Sequence, residues 1–329
     1  MNLKINYIYR YQTNTKHSIE GIFRTIEHFI AKKVYLKSIQ VKTSGGSPQK
    51  LLKNIFALRN HSGINHITGD IHYIALKTGR NTVLTIHDIR SIIKGHPFKK
   101  LYLRLFWFYI PALIVKKITV ISEFSKRELL ELVPYAKNKV VVVPNPLPPQ
   151  FKFKTRIFDI KKPTILCLGT KENKNLLRVF EAIKDVDCKL VIIGQLKKVQ
   201  SDLLERYQIE FDNQFNLSDN EMKKSYENCD LLCFPSIYEG FGMPIIEAQA
   251  IGRPIITSNF GAMKEVAQNT ACLVDPYSVD SIRTALTKII EDKNYRESLV
   301  QKGLENVKRY DVSKIVEQYE SIYRELAQK

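Results

Sequence analysis

The chain is poor in cysteine, it lacks a long apolar run, and its first half is short of acid; each scarcity removes a class of protein. Five cysteines among 329 residues are too few, and odd in number, for a disulfide-stapled scaffold. All five (Cys167, Cys188, Cys229, Cys233 and Cys272) fall in the second half, mostly inside apolar runs, as reduced core thiols of a cytosolic protein do. Cys229 and Cys233 stand four apart with no second pair and no histidine beside them, which argues against zinc. The N-terminus turns polar within a few residues, so no signal-peptide core is expected. The best candidate for a membrane span, 101–115, is interrupted by Arg104, and its uncharged part falls well short of the ~20 residues a crossing helix needs. It is expected as a buried helix kinked near Pro111. Its flanking Lys99, Lys100, Lys116 and Lys117 leave open a helix lying in a membrane interface.

The acid deficit is local. Residues 1–160 hold 27 Lys and Arg against 8 Asp and Glu, while 161–329 hold 24 against 25. The formal net charge of +18 therefore belongs wholly to the first half, which points to an anionic partner: nucleic acid, a phosphorylated substrate or an acidic membrane. The basic residues are scattered over many elements, and no zinc-finger, KH or RRM pattern accompanies them, which argues against nucleic acid.

Length allows two domains of ordinary size. Short β-branched runs alternate with amphipathic helical patterns, the mark of repeated βα units and parallel sheets. Strands are expected at 4–9, 34–41, 64–68, 82–86, 118–121 and 140–143, then at 164–168, 190–193, 209–211, 230–234, 254–257 and 271–274. Three helical stretches close the chain after residue 279. Between the two series, 144–162 carries four prolines and many charges, as a linker does. The expected division is a Rossmann-like domain over 1–150, a linker at 151–162, a second Rossmann-like domain over 163–305, and a last helix at 306–329 that can pack back on the first domain. Chemistry belongs in the loops at the carboxyl ends of the strands.

The most informative stretch is PSIYEGFGMPIIEA at 235–248. It follows a strand directly; Gly240 and Gly242 permit close backbone approach, and Pro244 suits the first turn of a helix. Backbone N–H groups at that helix start form an anion site, with Glu239 in the loop and Glu247 in the first turn as acceptors for ligand hydroxyls. Spacing alone leaves an equal alternative, in which the glycines make a turn and Glu247 complements the helix dipole. In the first half, His87 and Asp88 end a strand in TIHD, and Asp70 lies in HITGDIHY after the preceding strand. Ser122 fits a helix cap. The metal-binding spelling Asp185-Val186-Asp187 precedes a strand and so lies at the wrong sheet edge for a site.

The stretch 235–248 closely resembles the signature of glycosyltransferase family 4, the retaining GT-B glycosyltransferases. LCLGTKENKNL at 166–176 is similar to that family's diphosphate-binding strand and loop. The resemblance implies an α/β fold of two Rossmann-like, doubly wound domains facing across a cleft. It implies transfer of a hexose from a UDP- or GDP-hexose to an acceptor in cell-surface polysaccharide, lipopolysaccharide or glycolipid synthesis, with no cofactor and no metal. His87 and Glu239 become the catalytic residues. Gly169, Thr170, Lys171, Lys174, Gly240, Phe241, Gly242, Met243 and Glu247 become donor-binding. Thr170 stands where many members carry arginine; either Lys171 compensates for it or the site has one cation fewer. Gly21, Asp70 and Asp88 are acceptor or cleft residues, and the early glycine loop can be Glu20-Gly21 or Gly45-Gly46. Partners implied are the nucleotide sugar, an anionic or lipid-linked saccharide acceptor, and an acidic membrane met peripherally, with no nucleic acid. The place implied is the cytoplasm, at the inner face of the plasma membrane. The alternatives are another GT-B enzyme, such as a sugar-nucleotide epimerase or a phosphorylase, and, less favoured, a basic nucleic-acid-binding protein.

Overall fold

The computed structural model describes residues 3–11, 18–90 and 95–328. It divides into two units: residues 1–146 with 311–329, and 147–310. Unit 1 holds a parallel sheet of β1 (Lys4–Tyr9), β2 (Tyr35–Gln40), β3 (Ile64–Ile67), β4 (Thr82–Ile86), β5 (Lys117–Val120) and β6 (Val140–Val142), in the order β2-β1-β3-β4-β5-β6. Unit 2 holds β7 (Thr164–Leu168), β8 (Lys189–Ile193), β9 (Glu210–Gln214), β10 (Leu231–Phe234), β11 (Ile255–Ser258) and β12 (Cys272–Val274), in the order β12-β11-β10-β7-β8-β9. β3, β4, β10 and β11 are buried along their whole length, because helices cover both faces of a doubly wound sheet. β2 and β9 end one edge of each sheet and have no fully buried residue, and β9 is mostly polar. That polarity is why the sequence pattern marks only a fragment of β9 at 209–211. Alternation shows a strand only where one face is buried.

Strand order reverses between β1 and β3 in unit 1 and between β7 and β10 in unit 2. A doubly wound sheet opens a crevice at such a point, because helices leave it on opposite faces there. In unit 2 the loops after β7 and β10, where the sequence motifs lie, are the two that border it.

The last helix, Val312–Ala327, belongs to unit 1 and is held by a buried polar chain. Tyr323 donates to the Tyr7 hydroxyl at 3.1 Å, His66 Nδ1 meets the Tyr323 oxygen at 2.5 Å, and His66 Nε2 meets Thr85 Oγ1 at 2.7 Å. Burial keeps His66 neutral by pushing it down to about 3, so one ring nitrogen donates and the other accepts. In unit 2 the irregular segment around 150–162 is strapped to the sheet. Arg156 makes two bonds to buried Asp230 at 2.6 and 3.0 Å, and the Arg296 guanidinium lies 4.1 Å from the Phe158 ring centre. All five cysteines are buried free thiols.

The helix expected as buried around 101–115 is corrected by the structure. It runs as Pro97–Arg104, a π-helical turn Leu105–Tyr109, and Ile110–Ile114, and it buries only one side: Leu103, Trp107, Phe108 and Ala112 are covered, while Phe98, Leu101, Leu105 and Leu113 are exposed. Pro111 has no N–H to offer the Trp107 carbonyl one turn back, and His72 Nδ1 takes up that oxygen at 2.7 Å.

Tyr323→Phe leaves His66 Nδ1 short of its partner inside the core, which costs about 1–3 kcal/mol. A fall of several degrees in melting temperature is expected; an unchanged melt would show that the tyrosine chain does not hold the last helix.

Candidate functional site

In unit 2 the loop after β7 is zipped to the loop after β10. Gly169 follows β7 at φ +84°, and a Cβ there would come within 2.9 Å of the Lys174 side chain. The missing side chain lets the lysine stem fold across the loop. Lys174 Nζ then reaches Glu239 Oε1 at 2.6 Å and lies 4.7 Å from the Phe234 ring centre. Asn173 Nδ2 donates to the Tyr238 carbonyl at 2.9 Å and to Glu239 Oε1 at 3.2 Å, and its carbonyl accepts from the Ile237 N–H. Asn175, at φ +62°, ties the same turn to the Pro235 and Pro276 carbonyls; asparagine tolerates this left-handed conformation better than other side chains do. Charge and carboxylate thus sit together at the strand-order reversal of unit 2.

The helix Met243–Ile251 starts beside them. Gly242, at φ +105°, is its N-cap, Pro244 lies in its first turn, and no side chain caps it. Pro244 brings no N–H, and the Ile245 N–H turns back to the Gly242 carbonyl at 2.9 Å. Phe241 is buried edge-on against Tyr310, 5.5 Å between ring centres, so only its backbone can approach a ligand. Glu247, one turn in, accepts from the buried Tyr226 hydroxyl. Loss of water pushes its carboxyl up to about 7, against the Tyr226 hydrogen bond that pulls it down.

Of the remaining donor-side residues, Thr170 spends its hydroxyl on the Gln195 carbonyl at 2.6 Å, tying the β7 loop to the one after β8. Lys171 is exposed beside it. Asp185 and Asp187 are exposed, 3.5 Å from Arg283 and 3.9 Å from Lys162.

Unit 1 gathers a second cluster at its own reversal point. Arg10, directly after β1, grips buried Glu20 through two nitrogens and reaches Asp70 Oδ1, after β3, at 3.1 Å. His87, after β4, is buried, with Nε2 2.9 Å from the Thr68 carbonyl. That oxygen only accepts, so Nε2 carries the proton, and burial holds the ring neutral by pushing it down to about 4. Asp88 is half-buried beside it. His66 and His72, on either side of Asp70 in HITGDIHY, are wholly buried and bonded within unit 1. Gly21 lies exposed on the helix Ser18–Ile30 with open space where a side chain would go. Gly45 and Gly46 instead line a groove of about 950 Å³ with Arg10, Asp70, Tyr102 and Trp107. Only a glycine fits at 46, where a Cβ would stand 2.8 Å from the Trp107 ring.

Comparison with known proteins decides the family. A model of the "Glycosyl transferases group 1" matches residues 150–306, and one of "Glycosyltransferase Family 4" matches 49–151. The chain belongs to the family 4 glycosyltransferases. The O-antigen chain mannosyltransferase B of Escherichia coli is 33% identical over 92 residues, which is 28% of this chain and 24% of that protein; the match spans about a quarter of that relative. Among solved structures, sucrose-phosphate synthase from Thermosynechococcus elongatus has a TM-score of 0.77 at 15% identity, covering 99% of this chain and 100% of that one. HepE of Anabaena, solved with UDP and glucose, has 0.75 at 14%, covering 98% and 100%. The fold is GT-B.

In this glycosyltransferase Arg10, Asn173 and Trp107 were not singled out by sequence reasoning, though each sits at its site. Arg10 had one signal, its place immediately after the first strand; the other two had none, since their partners lie 65 and 61 positions away in the chain.

The Glu247 shift has a testable sign. Its carboxyl stays protonated in the fold up to about 7 but ionises near 4.5 when unfolded, so the folded state binds the extra proton and wild-type stability falls as pH rises between those values. Glu247→Gln removes the group: its melting temperature should gain on the wild type from pH 4.5 to 7.5. A constant gap across that range would refute the raised value.

Proposed function

We propose that this family 4 glycosyltransferase is a retaining hexosyltransferase. It moves a hexose from a UDP- or GDP-linked donor to an anionic or lipid-linked saccharide acceptor in the assembly of cell-surface polysaccharide or glycolipid. The observation that carries the reading is the Lys174–Glu239 pair beside the uncapped start of the helix Met243–Ile251. Support for a nucleotide donor comes from the HepE structure with UDP and glucose, and support for polysaccharide assembly from the O-antigen mannosyltransferase.

On this reading the donor diphosphate lies at the helix start, against the backbone of Gly240, Phe241, Gly242 and Met243 and along the loop Gly169, Thr170, Lys171. Lys174 turns from Glu239 to the diphosphate, and Glu239 is released to accept hydrogen bonds from the sugar hydroxyls. Glu247 accepts from the ribose hydroxyls. As the bond from the sugar C1 to the phosphate oxygen breaks, negative charge grows on the diphosphate. Lys174 and the fixed N–H groups meet that charge without reorganising. The acceptor oxygen bonds to C1 on the same face, and its proton passes to the departing phosphate oxygen, so no protein nucleophile is required. The family resemblance assigns His87, held neutral, to the reacting sugar, and Gly21, Asp70 and Asp88 to the acceptor side.

On this reading Lys174 and backbone N–H groups meet the leaving-group charge, and no resident metal is called for. Work at the inner face of the plasma membrane is part of the proposal. It is supported by the basic first half and is compatible with the described residues, among which no helix is long and apolar enough to cross a bilayer.

Lys174→Ala or Glu239→Ala should lower sugar transfer by about 10²-fold or more while the protein still melts cooperatively within a few degrees of the wild type. Wild-type turnover in either variant would sink the site. Turnover measured in excess EDTA should equal turnover without it; loss that added magnesium or manganese restores would show that a metal takes part. A thermal-shift comparison of UDP-, GDP-, ADP- and CMP-sugars identifies the donor, with about 2.7 kcal/mol of stabilisation expected at 100-fold over its dissociation constant.

A further inference from the structure

We infer that the helical segment 97–114 of unit 1 is the face on which this protein lies against an anionic lipid bilayer. The inference deepens the peripheral contact proposed above by naming the surface that makes it. One side of the segment is core: Leu103, Trp107, Phe108 and Ala112 are buried. The other side is apolar as well. Phe98, Leu101 and Leu105, spaced i, i+3, i+7, fall on one face of the helix and remain 80%, 54% and 37% exposed, and Leu113 further along is 63% exposed. A surface helix of a soluble domain ordinarily turns one apolar stripe inward and a polar face outward.

Charge selects the occupant of the second apolar face. Between Asp88 and Glu123 the sequence contains no carboxylate, and Lys99, Lys100 and Arg104 stand exposed among the apolar residues. At the far end, Leu113 opens onto a cavity of about 440 Å³ that it shares with Arg80, Lys116, Lys117 and Lys139, against one carboxylate, Glu325. Lys117 pairs with Glu325 at 2.8 Å, and Lys139 caps the segment by donating to the Ala112 and Leu113 carbonyls. Apolar side chains set in a field of cations fit the boundary between acyl chains and anionic head groups. A second copy of the chain is a poorer partner, because a symmetric contact would press this cationic strip against its own twin. The face also borders the glycine-lined groove, since Phe98, Lys99 and Tyr102 form part of that groove's wall. An acceptor anchored in the bilayer would then reach the groove without leaving the surface.

Sedimentation with vesicles tests the assignment, using phosphatidylcholine alone and phosphatidylcholine mixed with phosphatidylglycerol. The wild type should bind only the mixed vesicles, and less at high salt. Leu101→Ser/Leu105→Ser and Lys99→Glu/Lys100→Glu should each weaken that binding about tenfold or more, while Lys224→Glu/Lys302→Glu, the same charge change on exposed lysines of unit 2, should not. Equal binding to both vesicles, binding to neither, or equal loss in the unit 2 variant would overturn the proposal. So would a wild-type dimer in sedimentation velocity that Leu101→Ser/Leu105→Ser dissolves, since the covering partner would then be a second copy. Donor-induced thermal shifts recorded on the same proteins should survive in all variants. Their absence from the wild type would instead refute the sugar-nucleotide reading and leave the membrane face standing.

Discussion

Strand order is the constraint on which the rest of this molecule depends. A parallel sheet grows by right-handed crossovers, and once strands are added on both sides of the first one, neighbouring helices must leave on opposite faces. The gap between them cannot be filled by the fold itself. Both units meet this condition, between β1 and β3 and between β7 and β10. Each gap holds a cation pinned between carboxylates or beside one: Arg10 with Glu20 and Asp70, and Lys174 with Glu239. A charge placed there stays partly in water on one side and partly in protein on the other. It can therefore be paired in the empty site and still be turned toward a ligand.

The unit 2 site is stiff where it must be and loose where it can act. Its backbone is held by Asn173, Asn175 and Thr170, each bonded across to another loop, and by glycines whose conformations other residues adopt at a cost. Its charges are not locked in the same way. The Lys174–Glu239 pair retains roughly a fifth of each side chain in solvent, which limits the desolvation that a fully buried pair would suffer. Glu247 differs: one turn into the helix, with Tyr226 beneath it, it is poor in water and holds its proton unusually well.

The basic half shows how composition becomes meaningful only when mapped. Net charge of one sign is a statement about partners and not about fold. In unit 1 the helical segment 97–114 lies in a stretch without acid, from 89 to 122, and leaves apolar side chains in solvent. Pro111 and the π-helical turn before it belong to the same arrangement. They turn Trp107 inward against Gly46, where its Nε1–H meets the Asp70 carbonyl at 2.6 Å, and so join the wall of the groove to the exposed face.

From the residues alone one can read the βα alternation, most of the strands, the three closing helices and the motif-bearing loops of unit 2, because buried parallel strands are continuous apolar runs and glycine-rich turns are local signals. Only the start of the edge strand β9 was readable, since nothing at an exposed edge requires an apolar pattern. So did the exposure of 97–114, because a run of large apolar residues looks the same whether both its sides are covered or one. The burial of both histidines of HITGDIHY was hidden for the related reason that a polar side chain declares its partner only in three dimensions. Family and donor-loop motifs were local properties of the chain. Which charges face each other, which glycine is sterically required and which apolar face lacks a cover were decided by tertiary structure, because each depends on atoms brought together from distant positions.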